Sequence, residues 1–333
     1  MRALVTAGVG KPLEYREVPI PTPGPGEAVV RIAAAALNHR DVWIRQGLYA
    51  GLEFPIITGS DGVGAVDAIG DGVDSTWKGA RVILDPATGW GDDPRAQGRD
   101  FRILGLPADG TLAEYTKVAA SQLVRCPAHL TDPEAAALPL AGVTAFRAAV
   151  THGQVAAGHR VLVTGIGGGV ALFALQIARA LGAEVHVTSS DRTKIERALA
   201  LGATVGANYK DEGWGQELKT KAGPGYDVII DSAGGDGFAT LVDLARPGGR
   251  VVFFGATAGN PTKGLDLRRV FWKQVRLQGS TMGTSADFMA MIELVTAAKI
   301  RPIVDRTFAL SDGEAAFQYL EKSSQFGKVV LLP

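Results

Sequence analysis

Val161-Leu-Val-Thr-Gly165-Ile-Gly167-Gly168-Gly169-Val170-Ala171-Leu-Phe-Ala-Leu-Gln-Ile-Ala-Arg-Ala-Leu-Gly182 is the stretch on which the fold of this chain turns. A short β-branched run enters a glycine-packed turn, and an apolar helix, expected over 170–181, leaves it. Glycines let the backbone come close to a pyrophosphate, and the free N–H groups that open the helix attract negative charge. Glu184-Val-His-Val-Thr-Ser189 follows at the spacing of a βαβ unit. The stretch therefore predicts a dinucleotide-binding turn. Its glycine spacing departs from G-x-G-x-x-G: counted from Gly165 and Gly167, the third glycine position holds Val170. Counted from the helix side, the pattern ends at Ala171 and starts at Ile166.

Outward from the turn the pattern alternates. Strands are expected near 184–188, 227–231 and Arg250-Val-Val-Phe-Phe-Gly255, with helices at 193–201 and 236–245. Such alternation implies a parallel sheet with right-handed crossovers. The chain before about 130 is β-rich instead. Residues 2–6 and 28–34 look like strands, and Pro19-Ile-Pro21-Thr-Pro23-Gly-Pro25-Gly between them excludes regular structure. Residues after about 265 return to a mixed character, so the β-rich domain is expected to be discontinuous. The predicted boundaries are 1–125 with 265–333 for that domain and 126–264 for the nucleotide domain.

A chain of 333 residues has room for two domains with proper cores. Lys plus Arg balance Asp plus Glu at 34 each, which argues against nucleic acid or an acidic membrane surface as partner. No apolar run has membrane-spanning length and no signal segment opens the chain. Cys126 is the only cysteine, so no intrachain disulfide forms, in keeping with a cytoplasmic setting. With no partnered histidine around it, Cys126 reads as an ordinary thiol.

Several segments together resemble the medium-chain dehydrogenase/reductase superfamily: Ala35-Ala-Leu-Asn38-His-Arg-Asp41-Val-Trp-Ile-Arg45-Gln-Gly47-Leu-Tyr49, Thr58-Gly59-Ser60-Asp61-Gly62-Val-Gly64, Ala137-Leu-Pro139-Leu-Ala141-Gly142-Val-Thr144-Ala-Phe146 and Phe326-Gly327-Lys328-Val-Val. The resemblance implies an α/β protein in which a Rossmann domain, a doubly wound parallel sheet, is inserted into a GroES-like catalytic domain. In zinc alcohol dehydrogenases of that superfamily the catalytic metal is held at positions matched here by Asn38, Ser60 and Leu140, none of them a usual zinc ligand. The stretch matching their structural-zinc lobe, Asp85 to Gly110, has no cysteine. The five histidines show no metal-ligand spacing. On these grounds the chain is expected to need no zinc and to resemble the quinone oxidoreductase and enoyl reductase branch.

The expected activity is hydride transfer from NADPH to a quinone or an α,β-unsaturated carbonyl, whose charge spreads into a phenolate or enolate that a few hydrogen bonds stabilise. Alternatives are a zinc-independent alcohol dehydrogenase or carbonyl reductase, and a non-catalytic NADPH-binding protein. The resemblance places Tyr49 in the substrate pocket, where it either serves the developing oxyanion or is structural. Asn38 either orients a carbonyl or satisfies backbone groups. Asp41, Ser60 and Asp61 belong to the same pocket. Ser189 stands where an NAD enzyme usually carries a carboxylate, and with Ser190, Arg192 and Lys194 it points to NADP(H) over NAD(H). Asp191 could instead serve NAD or cap the next helix. Further cofactor contacts are expected from Thr144, Gly165, Gly167, Gly168, Gly169, Val170, Ser232, Gly255, Ala256, Thr257, Ser280, Met282 and Lys328. By the same resemblance a homodimer is expected, paired through Val275–Gly279.

Overall fold

The computed structural model describes residues 1–262 and 264–333. The β-rich part opens with β1 (Arg2–Thr6), β2 (Leu13–Glu17) and β3 (Glu27–Ala36), then helix α1 (His39–Arg45). There follow β4 (Ile56–Ile57), β5 (Asp61–Ile69), β6 (Arg81–Leu84), β7 (Ala87–Thr88), β8 (Arg102–Ile103), β9 (Tyr115–Ala119) and β10 (Leu123–Arg125). Helix α2 (Asp132–Ala137) ends this part, and α3 (Pro139–Phe146) leads out of it.

The alternating part runs β11 (Arg160–Val163), α4 (Gly169–Ala180), β12 (Glu184–Ser189), α5 (Arg192–Ala200), β13 (Val205–Asn208), α6 (Trp214–Ala222), β14 (Tyr226–Asp231), α7 (Phe238–Leu244), β15 (Ala245–Phe253), α8 (Leu267–Lys273) and β16 (Arg276–Gly279). The chain closes with α9 (Ser285–Ala297), β17 (Val304–Ala309), α10 (Gly313–Glu321) and β18 (Lys328–Leu332).

Two compact units result: Met1–Ala141 with Thr284–Pro333, and Gly142–Gly283. Both boundaries lie later than the residues 126 and 264 expected from the sequence. At the first, α2 packs on β3 and β5, and the Leu140 N–H donates to Asp61, so this helical segment stays with the β-rich unit. At the second, β16 extends the parallel sheet by pairing with β15, and α9 starts only at a Thr284 cap.

In the first unit, strands run β10-β6-β5-β3-β18-β17 with β9 also on β3, so the C-terminal strand β18 is stitched between β3 and β17. That pairing brings Lys328, at the start of β18, beside the chain just after β3. Leu4, Val30, Leu37, Leu84, Phe317 and Val329 are among its fully buried core residues.

In the second unit six parallel strands are ordered β13-β12-β11-β14-β15-β16. The order reverses direction between β11 and β14, the switch point at which doubly wound sheets bind ligands. Helix α4 buries Ala171, Leu172, Phe173, Ala174, Leu175, Ile177 and Ala178, which is why its sequence is apolar nearly all round. Among the described residues no helix is long and apolar enough to cross a membrane.

Candidate active site

The glycine-rich turn lies between β11 and α4, at the switch point. Gly165 and Gly167 adopt φ of +62° and +130°, which suit glycine and strain other residues. A Cβ on Gly167 would lie 2.8 Å from Lys194 Cδ and 3.5 Å from its Nζ, so the Lys194 side chain runs alongside the turn. Gly168 caps α4 without a side chain, which leaves the helix's first N–H groups available; Gly169 and Val170 form its first turn. This arrangement fits a dinucleotide pyrophosphate: close backbone, an open helix start and a nearby cation.

The other predicted cofactor residues divide by location. Ser189 ends β12 and its hydroxyl accepts from the Asp191 N–H at 3.2 Å. Asp191 caps α5, accepting from the Thr193 N–H at 2.8 Å. Ser190 follows β12, and its carbonyl accepts from Asn208. Arg192 pairs with Asp211 at 2.7 Å on the surface. Ser232, after β14, accepts at its carbonyl from the Thr257 N–H and hydroxyl, which joins it to the Gly255-Ala256-Thr257 loop after β15. Thr144 donates to Met282 Sδ at 4.0 Å, and Met282 holds a φ of +42°. Near it, the Ser280 hydroxyl is buried with no hydrogen-bond partner among the described residues, an orphaned donor that a ligand could satisfy.

Lys328 is not in this unit. It lies 5% exposed in the β-rich unit, where its Nζ donates to Asn38 Oδ1 at 2.5 Å and pairs with Asp61 Oδ2 at 2.9 Å. Asp61, the first residue of β5, has no exposed surface. Its other oxygen accepts from the Leu140 N–H at 2.7 Å, and Asn38 Nδ2 donates to Oδ2 at 2.9 Å. The amide of Asn38 is thereby fixed at both ends and keeps one N–H for another acceptor.

Asp41, in the first turn of α1, accepts from the backbone N–H groups of Asn38 at 2.8 Å and Gly59 at 3.2 Å. Burial holds its pKa above the ordinary range, against the opposing effect of the Arg40 charge. Ser60 donates to the Leu104 carbonyl at 2.8 Å and accepts from Arg40 Nη1 at 3.0 Å. The half-buried Tyr49 stacks on Arg40, whose Cζ is 4.9 Å from the ring centroid, and its Oη lies 3.5 Å from Arg40 Nε.

Two residues that sequence reasoning did not single out stand in this cluster. Arg40 is 6% exposed. His39 has its pKa held down, by burial first and then by the Lys328 charge, and so favours the neutral imidazole. Neither belongs to a pattern that marks chemistry in sequence; only the folded contacts of Arg40 with Ser60 and Leu104, and the Lys328 charge near His39, reveal them. Cys126 is half-buried, and burial pushes its thiol up to about 11, which makes it a poor nucleophile. A separate groove of about 470 Å³ in the same unit, lined by Val18, Pro21, Ile57 and Lys117, contains none of the predicted site residues.

Two family models match the chain: the alcohol dehydrogenase GroES-like domain over residues 24–128 and the zinc-binding dehydrogenase over 169–297. A zinc-type alcohol dehydrogenase-like protein, YogA, of Leptosphaeria maculans is 37% identical, covering 96% of this chain and 94% of its own. This chain belongs to the medium-chain dehydrogenase/reductase superfamily. It is an oxidoreductase by that membership. Acryloyl-coenzyme A reductase of Metallosphaera sedula is 30% identical over 99% of both chains. The crystal structure of an NAD-dependent alcohol dehydrogenase matches with a TM-score of 0.94 and 36% identity, covering both chains entirely.

These findings correct the expectation of a protein that needs no zinc and favours NADP(H). The matched nucleotide-domain model is that of a zinc-binding dehydrogenase. A cobalt- and zinc-bound thermostable alcohol dehydrogenase from Pyrobaculum aerophilum shares the fold, with a TM-score of 0.85 and 29% identity over 100% of this chain and 99% of its own. The similar solved structure named above is NAD-dependent. The cations that pointed to a 2′-phosphate are less available than the sequence implied, since Arg192 is already paired with Asp211.

Substitution at three ligand positions does not decide metal use for a chain from such a family. At those positions, though, the donors do not fit zinc. Asn38 and Ser60 present an amide and a hydroxyl engaged with protein partners, position 140 is leucine, and the Lys328 ammonium occupies the Asp61 carboxylate.

Proposed function

We propose that this chain interconverts an alcohol and its aldehyde or ketone with NAD(H). The observation that carries this reading is the buried Asn38–Asp61–Lys328 cluster. Reduction of a saturated carbonyl concentrates charge on one oxygen, which calls for fixed donors and nearby positive charge in a site of low dielectric. The cluster supplies both: an ammonium pinned by a carboxylate, and an amide aligned by the pair with one N–H to spare. The names of the similar zinc-type and NAD-dependent alcohol dehydrogenases support the same reading.

When bound, the nicotinamide supplies the hydride. The Gly165–Val170 turn, Lys194 and the loops at Ser232 and Gly255–Thr257 are the residues to hold the dinucleotide, with Thr144, Ser280 and Met282 toward its nicotinamide end. Asn38 Nδ2 donates to the carbonyl oxygen and orients it. Tyr49 Oη faces the Arg40 Nε–H, which leaves the phenolic proton to be given to the developing alkoxide. Asp41 and Asp61 hold the chain around Asn38 in place rather than touch substrate. Alignment by these groups can be worth about 7–11 kcal/mol of barrier.

A second reading, reduction of a 2-enoyl compound, is favoured by the full-length similarity to acryloyl-coenzyme A reductase. Quinone reduction has no such support and is not retained. The test is NADH oxidation with a saturated aldehyde and the matching 2-alkenal in parallel, together with NAD⁺ reduction by the alcohol. Turnover of the saturated pair supports the first reading, turnover of the alkenal alone the second, and silence on both counts against either. We also propose a homodimer joined through β16, an edge strand all four residues of which are exposed.

A further inference from the structure

Three cations are buried in the β-rich unit around α1, and they are treated differently. Lys328 has the Asp61 carboxylate, and Arg45 has Glu314 and Glu321. Arg40 has no carboxylate within ion-pair distance among the described residues. Its Nη1 donates to two neutral oxygens, Ser60 Oγ at 3.0 Å and Leu104 O at 2.9 Å. Its Nε has only the long 3.5 Å approach to the Tyr49 phenol, and its Nη2 donates to nothing among the described residues. The adjacent Asp41 feels the Arg40 charge but gives its two oxygens to the backbone of Asn38 and Gly59.

A guanidinium stays charged at every accessible pH, and burying it without an anion is costly. Here the cation is also held in place: Ser60 and Leu104 fix one nitrogen, and the Tyr49 ring covers the guanidinium. What stays open is Nη2, with Nε only loosely engaged. A planar fork of this kind matches the two oxygens of a carboxylate.

We propose that Arg40 is a specificity-determining residue that binds a carboxylate carried by the substrate next to its reacting carbonyl, so that a 2-oxo acid and its 2-hydroxy acid are the preferred pair. This rests on the carbonyl-reducing function proposed above. It makes Ser60 an anchor for the guanidinium, and it sets Tyr49 and Asn38 beside the group being reduced. A permanent anion on the ligand offsets the buried charge already in the ground state, which an oxyanion formed only during reaction does not.

The experiment compares a 2-oxo acid with its neutral methyl ester in the wild type, Arg40→Gln and Arg40→Lys. A charged hydrogen-bonded contact of this type corresponds to roughly 10- to 100-fold in affinity. The wild type is expected to have a KM for the acid lower than for the ester by about that factor. Arg40→Gln abolishes the preference through KM, and Arg40→Lys restores part of it. Equal KM values for acid and ester in the wild type overturn the proposal. So does a loss in Arg40→Gln that falls on kcat alone, and equally for both substrates, because that assigns Arg40 to the developing oxyanion.

A second readout does not depend on turnover: the Tm of the wild type and of Arg40→Gln with and without the non-reducible anion 2-methylpropanoate. Stabilisation of the wild type but not the variant supports the carboxylate site even if no carbonyl is reduced, in which case only the proposed activity fails. Equal response of both proteins sinks the site itself.

Discussion

Asp61 shows how much a single buried carboxylate can organise: it accepts from Leu140, Asn38 and Lys328, which belong to three separate segments of the chain. Lys328→Met leaves that carboxylate uncompensated, and the loss of one partner from a buried pair costs about 3–5 kcal/mol. Denaturant unfolding should show this loss. It should also show recovery of much of it in Lys328→Met combined with Asp61→Asn, since residues in one network are coupled. For Tyr49→Phe we expect turnover to fall at least about tenfold, roughly 1.4 kcal/mol of barrier, with cofactor affinity unaltered; an unchanged kcat removes the phenol from the mechanism. Asn38, Tyr49, Ser60 and Asp61 were legible because they lie in segments whose order resembles a family. The pairing of Lys328 with Asp61 was not, because 267 residues separate them and only β18 beside β3 brings them together. Arg40 was invisible for a different reason: sequence displays the cation but cannot show that no anion is near.

In the proposed function the turn between β11 and α4 is the element on which cofactor binding depends. Gly167→Ala forces a side chain into φ of +130° and against Lys194, a strain of about 1–3 kcal/mol. NADH affinity, read by fluorescence titration, should weaken about tenfold or more while the fold survives. Just beyond β6, Asp85 is buried and its carboxyl is pushed from the ordinary 3.8 up to about 6, by burial chiefly, against hydrogen bonds from Ala87 and Ser285. A raised folded pKa means stability fully present below about pH 4 and lost as pH rises to about 6. Asp85→Asn should remove this dependence. The variant's advantage over wild type is then expected to grow by up to about 3 kcal/mol between pH 4 and pH 8 in thermal unfolding.

The elements α4, β12, β14 and β15 could be read from sequence because each carries an apolar or β-branched run: Val170–Leu175 in α4, Val185 with Val187 and Thr188 in β12, Val228–Ile230 in β14 and Val251–Phe253 in β15. The short ones could not. Strand β13 holds Gly206, where a Cβ would meet Ile195 of α5 at 2.1 Å, so its sequence looks like a loop although packing demands glycine. Helix α6 opens after Gly213 in the left-handed region and carries its apolar face on only three residues, Trp214, Leu218 and Ala222. Helix α1 is only seven residues long, and its identity comes from where it packs rather than from period.

At the scale of the molecule, β16 leaves the sheet with an open edge, and α8 beside it exposes Phe271 and Trp272, the latter 82% accessible. Unpaired edges with apolar surroundings are normally covered. Analytical ultracentrifugation should therefore find a species of twice the 34.7 kDa chain mass, and Leu277→Lys should shift it to the monomer; a monomeric wild type contradicts the edge-pairing proposal. Under the proposed function the two compact units divide the work, nucleotide binding in the parallel sheet and carbonyl chemistry in the β-rich unit. What tests that account most directly is the fate of the hydride. The protein is given NADH deuterated at the transferable position and a 2-alkenal, and the product is analysed by mass spectrometry and NMR. The account predicts deuterium on the carbinol carbon of an allylic alcohol. Deuterium on the β-carbon of a saturated aldehyde, or none in any product, would contradict it.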